Sequence, residues 1–284
     1  MGELERKENR LREILQGLGS ALVAFSGGVD STYLLYAGLE ALGRDKVLAV
    51  TAVSETYTPS ELEEARRLAA ALGARHLVVE TSELADPRFC ANPPERCYFC
   101  KGHLVQKLKD VAMEHGLACV LHGATLDDLG DFRPGMRAAQ ELGARAPLLE
   151  AGLTKDEVRS LSRLAGLPTW DKPSMACLAS RFPYGQAITP EGLRQVGKGE
   201  EFLRRELGLR QVRLRHHGAI ARLEVPLEEL ARLVQEPARS RVVAQLKSLG
   251  FTYVALDLEG YRSGSMNEAL GELAKAAGQR QCGA

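Results

Sequence analysis

The residues with the clearest capacity for chemistry in this 284-residue sequence form the string SGGVDS at positions 26–31. The string follows a short apolar run that predicts a strand, and it precedes 32–41, which predicts a helix. Glycines let the backbone turn tightly, and the N–H groups at the start of a helix suit phosphate oxygens. The serine hydroxyls add further donors. We therefore predict a phosphate site on this loop, contacted by Ser26, Gly27, Gly28, Asp30 and Ser31.

An acidic side chain within the 26–31 loop predicts a second ligand. Asp30 would repel a phosphate unless a cation lay between the two groups, so its presence indicates Mg²⁺. No lysine follows the glycines, which distinguishes this string from the GxxxxGK[ST] nucleotide loop. The structural alternative is an ordinary strand-to-helix turn. That alternative explains two glycines but does not require the serines or the aspartate.

Six cysteines form the second group of candidates. Cys97 and Cys100 make a CxxC pair, and Cys177 lies in the segment KPSMACLASR. Three thiols fit a [4Fe–4S] cluster that leaves one iron open, and they also fit zinc if His103 is the fourth ligand. The sequence alone leaves both readings open. Buried or incidental thiols are the expectation for the cysteines without a spaced partner: Cys90, Cys119 and Cys282.

A third candidate is the segment QVRLRHHG at 211–218, in which apolar and basic residues alternate. On a strand, Arg213 and Arg215 would point to the same side, away from Val212 and Leu214. Two adjacent guanidinium groups make a clamp for a phosphate. The alternative is a half-exposed strand whose arginines are solvated.

The elements that must position these residues alternate between short apolar runs and longer helix-like stretches. The apolar runs predict strands at Ala21–Phe25, Val47–Val53, His76–Val79 and Ala118–Leu121. The intervening stretches are long enough for crossover helices, so the sequence predicts an α/β fold with a parallel sheet. Capping boxes mark two helix starts, TPSE at 58–61 and TKDE at 154–157.

The residue composition changes at 182–190, where two prolines and a glycine predict a linker. Beyond it the sequence predicts a strand-rich segment, two helices and a last strand, at 211–225, 227–235, 239–249 and 251–258. We therefore expect two domains. Residues 1–185 would carry the parallel sheet and the phosphate site, and 186–284 would form a smaller α+β domain for substrate binding or oligomerisation.

Composition narrows the class of protein. Lys plus Arg and Asp plus Glu are 37 each, so the formal net charge is zero, which argues against a large nucleic-acid partner. No apolar run reaches the roughly 20 residues of a membrane helix. The charged N-terminal stretch lacks the apolar core of a signal peptide. We expect a cytoplasmic protein with no membrane association.

The 26–31 loop resembles that of the PP-loop (N-type) ATP pyrophosphatases, in which SGGxDS binds ATP phosphates and ATP is cleaved to AMP and pyrophosphate. Other segments agree. VTAVS at 50–54 matches the strand end that contacts adenine, which implicates Ser54. HGATLDD at 122–128 resembles the family's GTxxDD stretch, which implies that Gly123 contacts the nucleotide. The same resemblance implies that Asp128 binds Mg²⁺ together with Asp30. Lys155 stands where the family places a lysine near the phosphates.

Within this group the sequence resembles the LarE family. The similarity covers most of residues 20–185 and includes RCYFCK (96–101), DDLGDFRPG (127–135), PLLEAGLTKDEVR (147–159) and LPTWDKPSMACLASRFPYG (167–185). His122 is a departure, since many relatives have Asp there. Some LarE proteins have only the cysteine matching Cys177 and sacrifice its sulfur, leaving dehydroalanine. Others have three cysteines and a [4Fe–4S] cluster, and this sequence resembles that type.

The resemblance implies a reaction. ATP and Mg²⁺ would adenylylate the carboxylates of pyridinium-3,5-biscarboxylic acid mononucleotide, and sulfur from Cys97, Cys100 and Cys177 would then displace AMP. The product thiocarboxylates serve nickel-pincer nucleotide synthesis. Arg213, Arg215 and Arg181 would hold the substrate phosphate. A sulfur donor and a homo-oligomer are further expectations.

Three other functions stay open. A tRNA thiolase shares the loop and a three-cysteine site, but the neutral charge and the lack of an evident RNA-binding module disfavour it. An amide-forming PP-loop ligase would not need the cysteines. A non-catalytic nucleotide sensor with a zinc site would bind ATP without releasing pyrophosphate.

Overall fold

The computed structural model describes residues 2–130, 134–173, 176–262 and 264–271. The described residues divide into two compact units. The first unit takes 2–83 and 95–173, and the second takes 84–94 and 176–271.

The first unit contains a parallel sheet of four strands among its described residues. These are β1 (Ala21–Ala24), β2 (Val47–Val53), β3 (Arg75–Glu80) and β4 (Cys119–Leu121). Their order in the sheet is β3-β2-β1-β4, with Ala21 of β1 opposite Val47 of β2 and Cys119 of β4. The predicted α/β class with a parallel sheet is confirmed. Because all four carboxyl ends point the same way, the loops that follow β1, β2 and β4 share one edge of the sheet.

Helices cover both faces of this sheet. They are α1 (Glu3–Leu18), α2 (Val29–Leu42), α3 (Pro59–Ala71), α5 (Arg96–Glu114), α6 (Pro134–Glu141), α7 (Pro147–Glu150) and α8 (Lys155–Leu164). Alternate residues of β1 bury on opposite faces: Val23 packs with α1, α2 and α8, whereas Leu22 packs with α5. Burial on both faces explains why the strands are continuous apolar runs.

The two predicted helix starts have the expected caps. The Thr58 hydroxyl accepts the N–H of Glu61 (3.3 Å), and the Glu61 carboxylate accepts the Thr58 N–H (2.8 Å). Thr154 and Glu157 make the same reciprocal pair at the start of α8 (3.3 and 2.9 Å). Each pair satisfies backbone donors that a helix start leaves open, which fixes where α3 and α8 begin.

The second unit combines helices with a three-stranded sheet. Its elements are α4 (Pro87–Cys90), α9 (Pro190–Leu207), β5 (Arg213–His217), β6 (Ile220–Glu224), α10 (Leu227–Val234), α11 (Ala238–Ser248) and β7 (Tyr253–Leu256). β5 and β6 are antiparallel, and β7 lies parallel to β6. The strands and the last two helices fall where the sequence predicts them. The 18-residue helix α9 was not predicted.

The stretch predicted as a linker is instead a packed part of the second unit. Phe182 and Ile188 are 1% and 2% exposed. The Asn92 side-chain amide donates to the carbonyls of Phe182, Pro183 and Gln186 at 3.3, 2.7 and 3.0 Å. The first unit ends at residue 173 of the described chain and the second resumes at 176, so the predicted domain boundary at 185/186 lies inside the second unit.

Among the described residues, no helix combines the length and the apolar character needed to span a bilayer.

Candidate functional site

The 26–31 loop connects β1 to α2 at the carboxyl edge of the parallel sheet. Gly27 has φ +69°, a conformation that favours glycine, and Gly28 occupies the N-cap position of α2. The hydroxyls of Ser26 and Ser31 lie 3.1 Å apart, and the Ser31 hydroxyl donates to the Gly28 carbonyl (3.2 Å). The predicted strand–loop–helix context is present. Backbone N–H groups and a helix start therefore coincide here, as a phosphate site requires.

Gly123, which follows β4, packs directly against this loop. A Cβ at this position would lie 3.0 Å from Cβ of Asp30 and 3.1 Å from the backbone N of Ser31. Such distances are too short for a side chain without displacement of the loop. The structure therefore explains glycine here by close backbone approach, while a contact of Gly123 with nucleotide stays a prediction.

Asp30 of the loop forms an ion pair with Lys155, the first residue of α8. The pair uses Oδ2 of Asp30, while Oδ1 is buried without a hydrogen-bond partner. Burial raises the pKa of Asp30, and the Lys155 ammonium opposes that shift. A buried carboxylate oxygen without a donor fits a cation, because Mg²⁺ takes oxygen ligands. The residues present thus fit the predicted metal.

Asp128 lies in the short 3₁₀ helix 126–130 that follows β4. Its carboxylate accepts the N–H and the hydroxyl of Thr125, at 2.8 and 3.3 Å. Its negative charge contributes to the raised pKa of Asp30, so the two carboxylates share one electrostatic environment. This arrangement suits a shared cation, and the assignment of Asp128 as a Mg²⁺ ligand stays a prediction.

A depression of about 500 Å³ lies at the carboxyl ends of β2 and β3. Its lining residues are Val53, Ser54, Glu55, Glu80, Thr81 and Ser82. The Ser54 hydroxyl lies 3.0 Å from that of Thr56, which orients it within the loop after β2. The predicted adenine contact therefore belongs to a concave surface on the strand next to β1.

Two residues that hold the 26–31 loop escaped the sequence analysis. The Lys172 ammonium donates to the Gly27 carbonyl (3.0 Å) and to the Glu64 carboxylate (2.6 Å). The Tyr57 hydroxyl donates to the Ser26 carbonyl (3.2 Å). No local pattern marks either residue, because each contact joins segments far apart in the sequence.

Cys97 and Cys100 are the second and fifth residues of α5 in the first unit, and Cys97 is exposed. Lys101 follows them, and burial lowers the pKa of its ammonium although the two thiols oppose the shift. His122, after β4, is affected by the same ammonium. Burial and the Lys101 charge lower the pKa of His122 to about 4, so its imidazole is neutral at physiological pH.

Cys177 belongs to the second unit. It is exposed and stands at the N-cap position of the 3₁₀ helix Leu178–Arg181. Its carbonyl accepts the N–H (3.0 Å) and the hydroxyl (2.9 Å) of Ser180, and a guanidinium N–H of Arg181 (3.2 Å). The backbone at this cysteine is therefore held on several sides while the side chain faces solvent.

Across the described ranges, no three His, Cys, Asp or Glu side chains are grouped so that they could hold a metal ion. The three-cysteine cluster site accordingly stays a prediction. Two other cysteines make backbone contacts instead. Cys90 donates to the Leu84 carbonyl (3.3 Å) and Cys119 to the Ser20 carbonyl (3.5 Å). Cys282 lies outside the described residues.

The first three residues of β5, both arginines included, are buried, so the alternative of a half-exposed strand with solvated arginines is wrong. Arg213 and Arg215 are 4% and 8% exposed. Arg215 donates two N–H groups to the Glu224 carboxylate, at 2.9 and 2.7 Å. Arg213 lies over the ring of Tyr261, and burial with the nearby charge of Arg181 lowers its pKa to about 10.

Arg181 pairs with Glu200 in the same bidentate way, at 2.6 and 2.8 Å. Both side chains are almost fully buried. These carboxylates explain how cationic groups can lie in the core of the second unit. A substrate phosphate at these arginines would compete with carboxylates already bound there, and the clamp stays a prediction.

The sequence of this chain is similar to those of known proteins. Residues 3–91 match the model of the NAD synthase family. The chain is 47% identical to an uncharacterized protein of Synechocystis sp., over 94% of this chain and 99% of the relative. It is 42% identical to the pyridinium-3,5-bisthiocarboxylic acid mononucleotide synthase of Lactiplantibacillus plantarum, over 95% of this chain and 97% of the relative. Both similarities extend through the two units.

Proposed function

The chain belongs to the family of the pyridinium-3,5-bisthiocarboxylic acid mononucleotide synthase, the LarE family, and from this membership we propose that it is an ATP-dependent sulfurtransferase. In the proposed reaction, the carboxylates of pyridinium-3,5-biscarboxylic acid mononucleotide are adenylylated and converted to thiocarboxylates for nickel-pincer nucleotide synthesis. AMP and pyrophosphate are the other products. We place this reaction in the cytoplasm.

The observation that carries the proposal is Oδ1 of Asp30, a buried oxygen without a hydrogen-bond partner within the 26–31 loop. A buried carboxylate oxygen without a hydrogen-bond donor destabilises the folded chain unless a ligand binds to it. A loop of backbone N–H groups next to that oxygen combines an anion site with a cation site. Phosphates carried with Mg²⁺ match both, and ATP is the ligand that supplies them.

Each group then has a role in adenylylation. The N–H groups of the loop would bind the β- and γ-phosphates, and the adenine would lie at the depression that Ser54 lines. Bound Mg²⁺ would neutralise charge on the leaving pyrophosphate. The Lys155 ammonium, freed from Asp30 when the cation binds, would compensate negative charge near the phosphates. A substrate carboxylate oxygen attacks the α-phosphorus as the bond to pyrophosphate breaks.

Adenylylation activates the carboxylate, because AMP is a far better leaving group than oxide. A sulfide held at the sulfur site would then form a C–S bond at the acyl carbon while the C–O bond to AMP breaks, so that thiocarboxylate and AMP are the products. We assign the sulfur site to Cys97, Cys100 and Cys177. The exposed thiols of Cys97 and Cys177 support this assignment. A [4Fe–4S] cluster on these soft donors would supply a sulfide for repeated turnover.

The remaining substrate contacts follow from charge. The substrate mononucleotide is an anion, and Arg181, Arg213 and Arg215 are buried cations of the second unit. We propose that they hold its phosphate. We also propose a homo-oligomer, with the second unit as the assembly surface, and a separate donor that replenishes sulfur.

The decisive experiment separates the two half-reactions. Pyrophosphate release and thiocarboxylate formation would be measured on anaerobically purified protein with the biscarboxylic mononucleotide. We expect Cys177→Ala to release pyrophosphate but form no thiocarboxylate, whereas the matched control Cys119→Ala keeps both activities. Thiocarboxylate formation by Cys177→Ala would refute the sulfur assignment. Pyrophosphate release that requires tRNA would indicate a thiolase, and release that requires ammonia would indicate an amide ligase. If the chain binds ATP but releases no pyrophosphate under any of these conditions, it would be a sensor.

Metal content tests the cluster separately. About four irons and four sulfides per chain, lost in Cys97→Ala and Cys177→Ala, are expected for a three-cysteine [4Fe–4S] site. Zinc, or no metal, would rule out the cluster while leaving the adenylylation proposal intact.

A further inference from the structure

Donors from outside the 26–31 loop hold two of its carbonyl oxygens. The Ser26 carbonyl accepts the Tyr57 hydroxyl at 3.2 Å, and the Gly27 carbonyl accepts the Lys172 ammonium at 3.0 Å. The next carbonyl, that of Gly28, is satisfied within the loop and helix by the Ser31 hydroxyl and the Thr32 N–H. Three consecutive carbonyls are thus engaged by hydrogen-bond donors.

Lys172 is itself held in place from two directions. Its ammonium lies 2.6 Å from a carboxylate oxygen of Glu64 on α3, and its side chain is only 17% exposed. The Arg159 guanidinium on α8 donates to the backbone carbonyls of Trp170 and Lys172, both at 2.7 Å. The lysine therefore joins α8 and α3 to the loop rather than extending into solvent.

The orientation of the peptide groups gives these contacts a consequence. In a trans peptide the C=O and the following N–H point in opposite directions. A donor on the Ser26 carbonyl therefore fixes the direction of the Gly27 N–H, and a donor on the Gly27 carbonyl fixes that of the Gly28 N–H. Glycine has wide conformational freedom, so these contacts restrict Gly27 to its φ of +69°.

We propose that Lys172 and Tyr57 are positioning residues that preorganise the 26–31 loop for the β- and γ-phosphates by holding its carbonyls away from them. This inference rests on the ATP site proposed above. It assigns Lys172 to the loop backbone rather than to the phosphates, since its ammonium already bonds a carbonyl and a carboxylate. Preorganisation raises affinity by removing the cost of ordering the loop on binding.

The test compares two ligands that differ in these phosphates. Calorimetry would measure binding of α,β-methylene-ATP and of AMP, each with Mg²⁺, to the full chain. For Lys172→Met we expect the affinity for the ATP analogue to fall by about tenfold, the loss of a charged hydrogen bond. For Tyr57→Phe we expect about threefold. AMP affinity should change by less than about twofold in both, because AMP lacks the phosphates that the loop binds.

Matched controls and a third variant keep the outcomes distinct. Lys46→Met and Tyr253→Phe change exposed residues of the same types and should leave both affinities unaltered. Glu64→Gln keeps Lys172 but removes its partner, so the loop should loosen and analogue binding weaken. If Lys172 instead contacts phosphate directly, Glu64→Gln should strengthen analogue binding, and Tyr57→Phe should have no effect.

Two other results would overturn the inference. Equal losses for AMP and the analogue, with a lower melting temperature, would show a purely structural role. Failure of the wild-type chain to bind the analogue would instead remove the proposed ATP site itself. Weakened binding of the analogue alone, in Lys172→Met and in Tyr57→Phe, supports the positioning role.

Discussion

The 26–31 loop and the strand β5 both bury charge, but they satisfy it in different ways. Asp30 shares one oxygen with Lys155 and keeps the other buried without a hydrogen-bond partner. Arg215 instead gives two N–H groups to the two oxygens of Glu224. The comparison separates a buried charge that protein atoms already satisfy from one that leaves an atom open. A substrate phosphate at Arg215 would have to compete with Glu224, whereas a cation at Asp30 would bind an oxygen that has no hydrogen-bond partner.

The largest expected effect comes from breaking a closed pair. Arg181→Met leaves Glu200 buried at 0% exposure without its bidentate partner, and we expect the free energy of unfolding to fall by about 3–5 kcal/mol. Denaturant unfolding measures this change. The control Arg205→Met breaks an exposed pair with Glu201 and should cost less than about 1 kcal/mol. Equal losses in the two variants would contradict the structural role of the buried pair.

The next prediction concerns how the stability of the chain depends on pH through His122, at the edge of the parallel sheet. The pKa of His122 is about 4 in the folded chain, below the ordinary value of roughly 6.5 expected after unfolding. The unfolded chain therefore binds the proton first, and stability present above pH 6.5 is lost as pH falls toward 4. The difference corresponds to roughly 3 kcal/mol. The free energy of unfolding, measured at several pH values across this range, should depend less on pH in His122→Gln than in the wild type. An equal pH dependence in the two proteins would argue against the prediction.

Removing the open oxygen tests the ligand side of the comparison. Asp30→Asn keeps the shape of the side chain but weakens the proposed Mg²⁺ site, and we expect pyrophosphate release to fall by about 100-fold or more. The melting temperature should change little, since Asn keeps an oxygen acceptor for Lys155 and the open atom makes no protein hydrogen bond. Burial also disfavours the charge of Asp30, which offsets the weakened ion pair. If Asp30→Asn instead lowers the melting temperature but releases pyrophosphate at the wild-type rate while folded, the Asp30 charge stabilises the fold and does not bind the cation.

The smallest effect tests how closely the loop is packed. In Gly123→Ala the new Cβ would lie 3.0 Å from Asp30, so the loop must shift, and we expect affinity for the ATP analogue to fall by about tenfold. Gly17→Ala on the exposed side of α1 meets no atom within 4 Å and is the matched control. That control should be neutral or stabilise the helix by about 0.5–1 kcal/mol. Unchanged affinity in Gly123→Ala would show that the loop tolerates displacement.

Local signals in the sequence predicted much of this fold. The strand β1, the glycine loop and the helix α2 follow one another as short-range patterns dictate, and reciprocal caps fix the starts of α3 and α8. The prediction failed at α9, whose start lies beside a proline-rich stretch interpreted as a linker. That stretch is ordered by Asn92, a residue about 90 positions earlier in the chain. Long-range hydrogen bonds of this kind leave no local pattern.

The sequence by itself determined the alternation of strands and helices, the position of the 26–31 loop and the family of the chain, because propensity, capping and motif spacing act over a few residues. Only the tertiary structure decided the state of the charged groups. It buried the arginines of β5 against carboxylates, left Oδ1 of Asp30 open, and brought Lys172 to the Gly27 carbonyl. Burial and pairing depend on which distant segments meet, and that is a property of the packed chain.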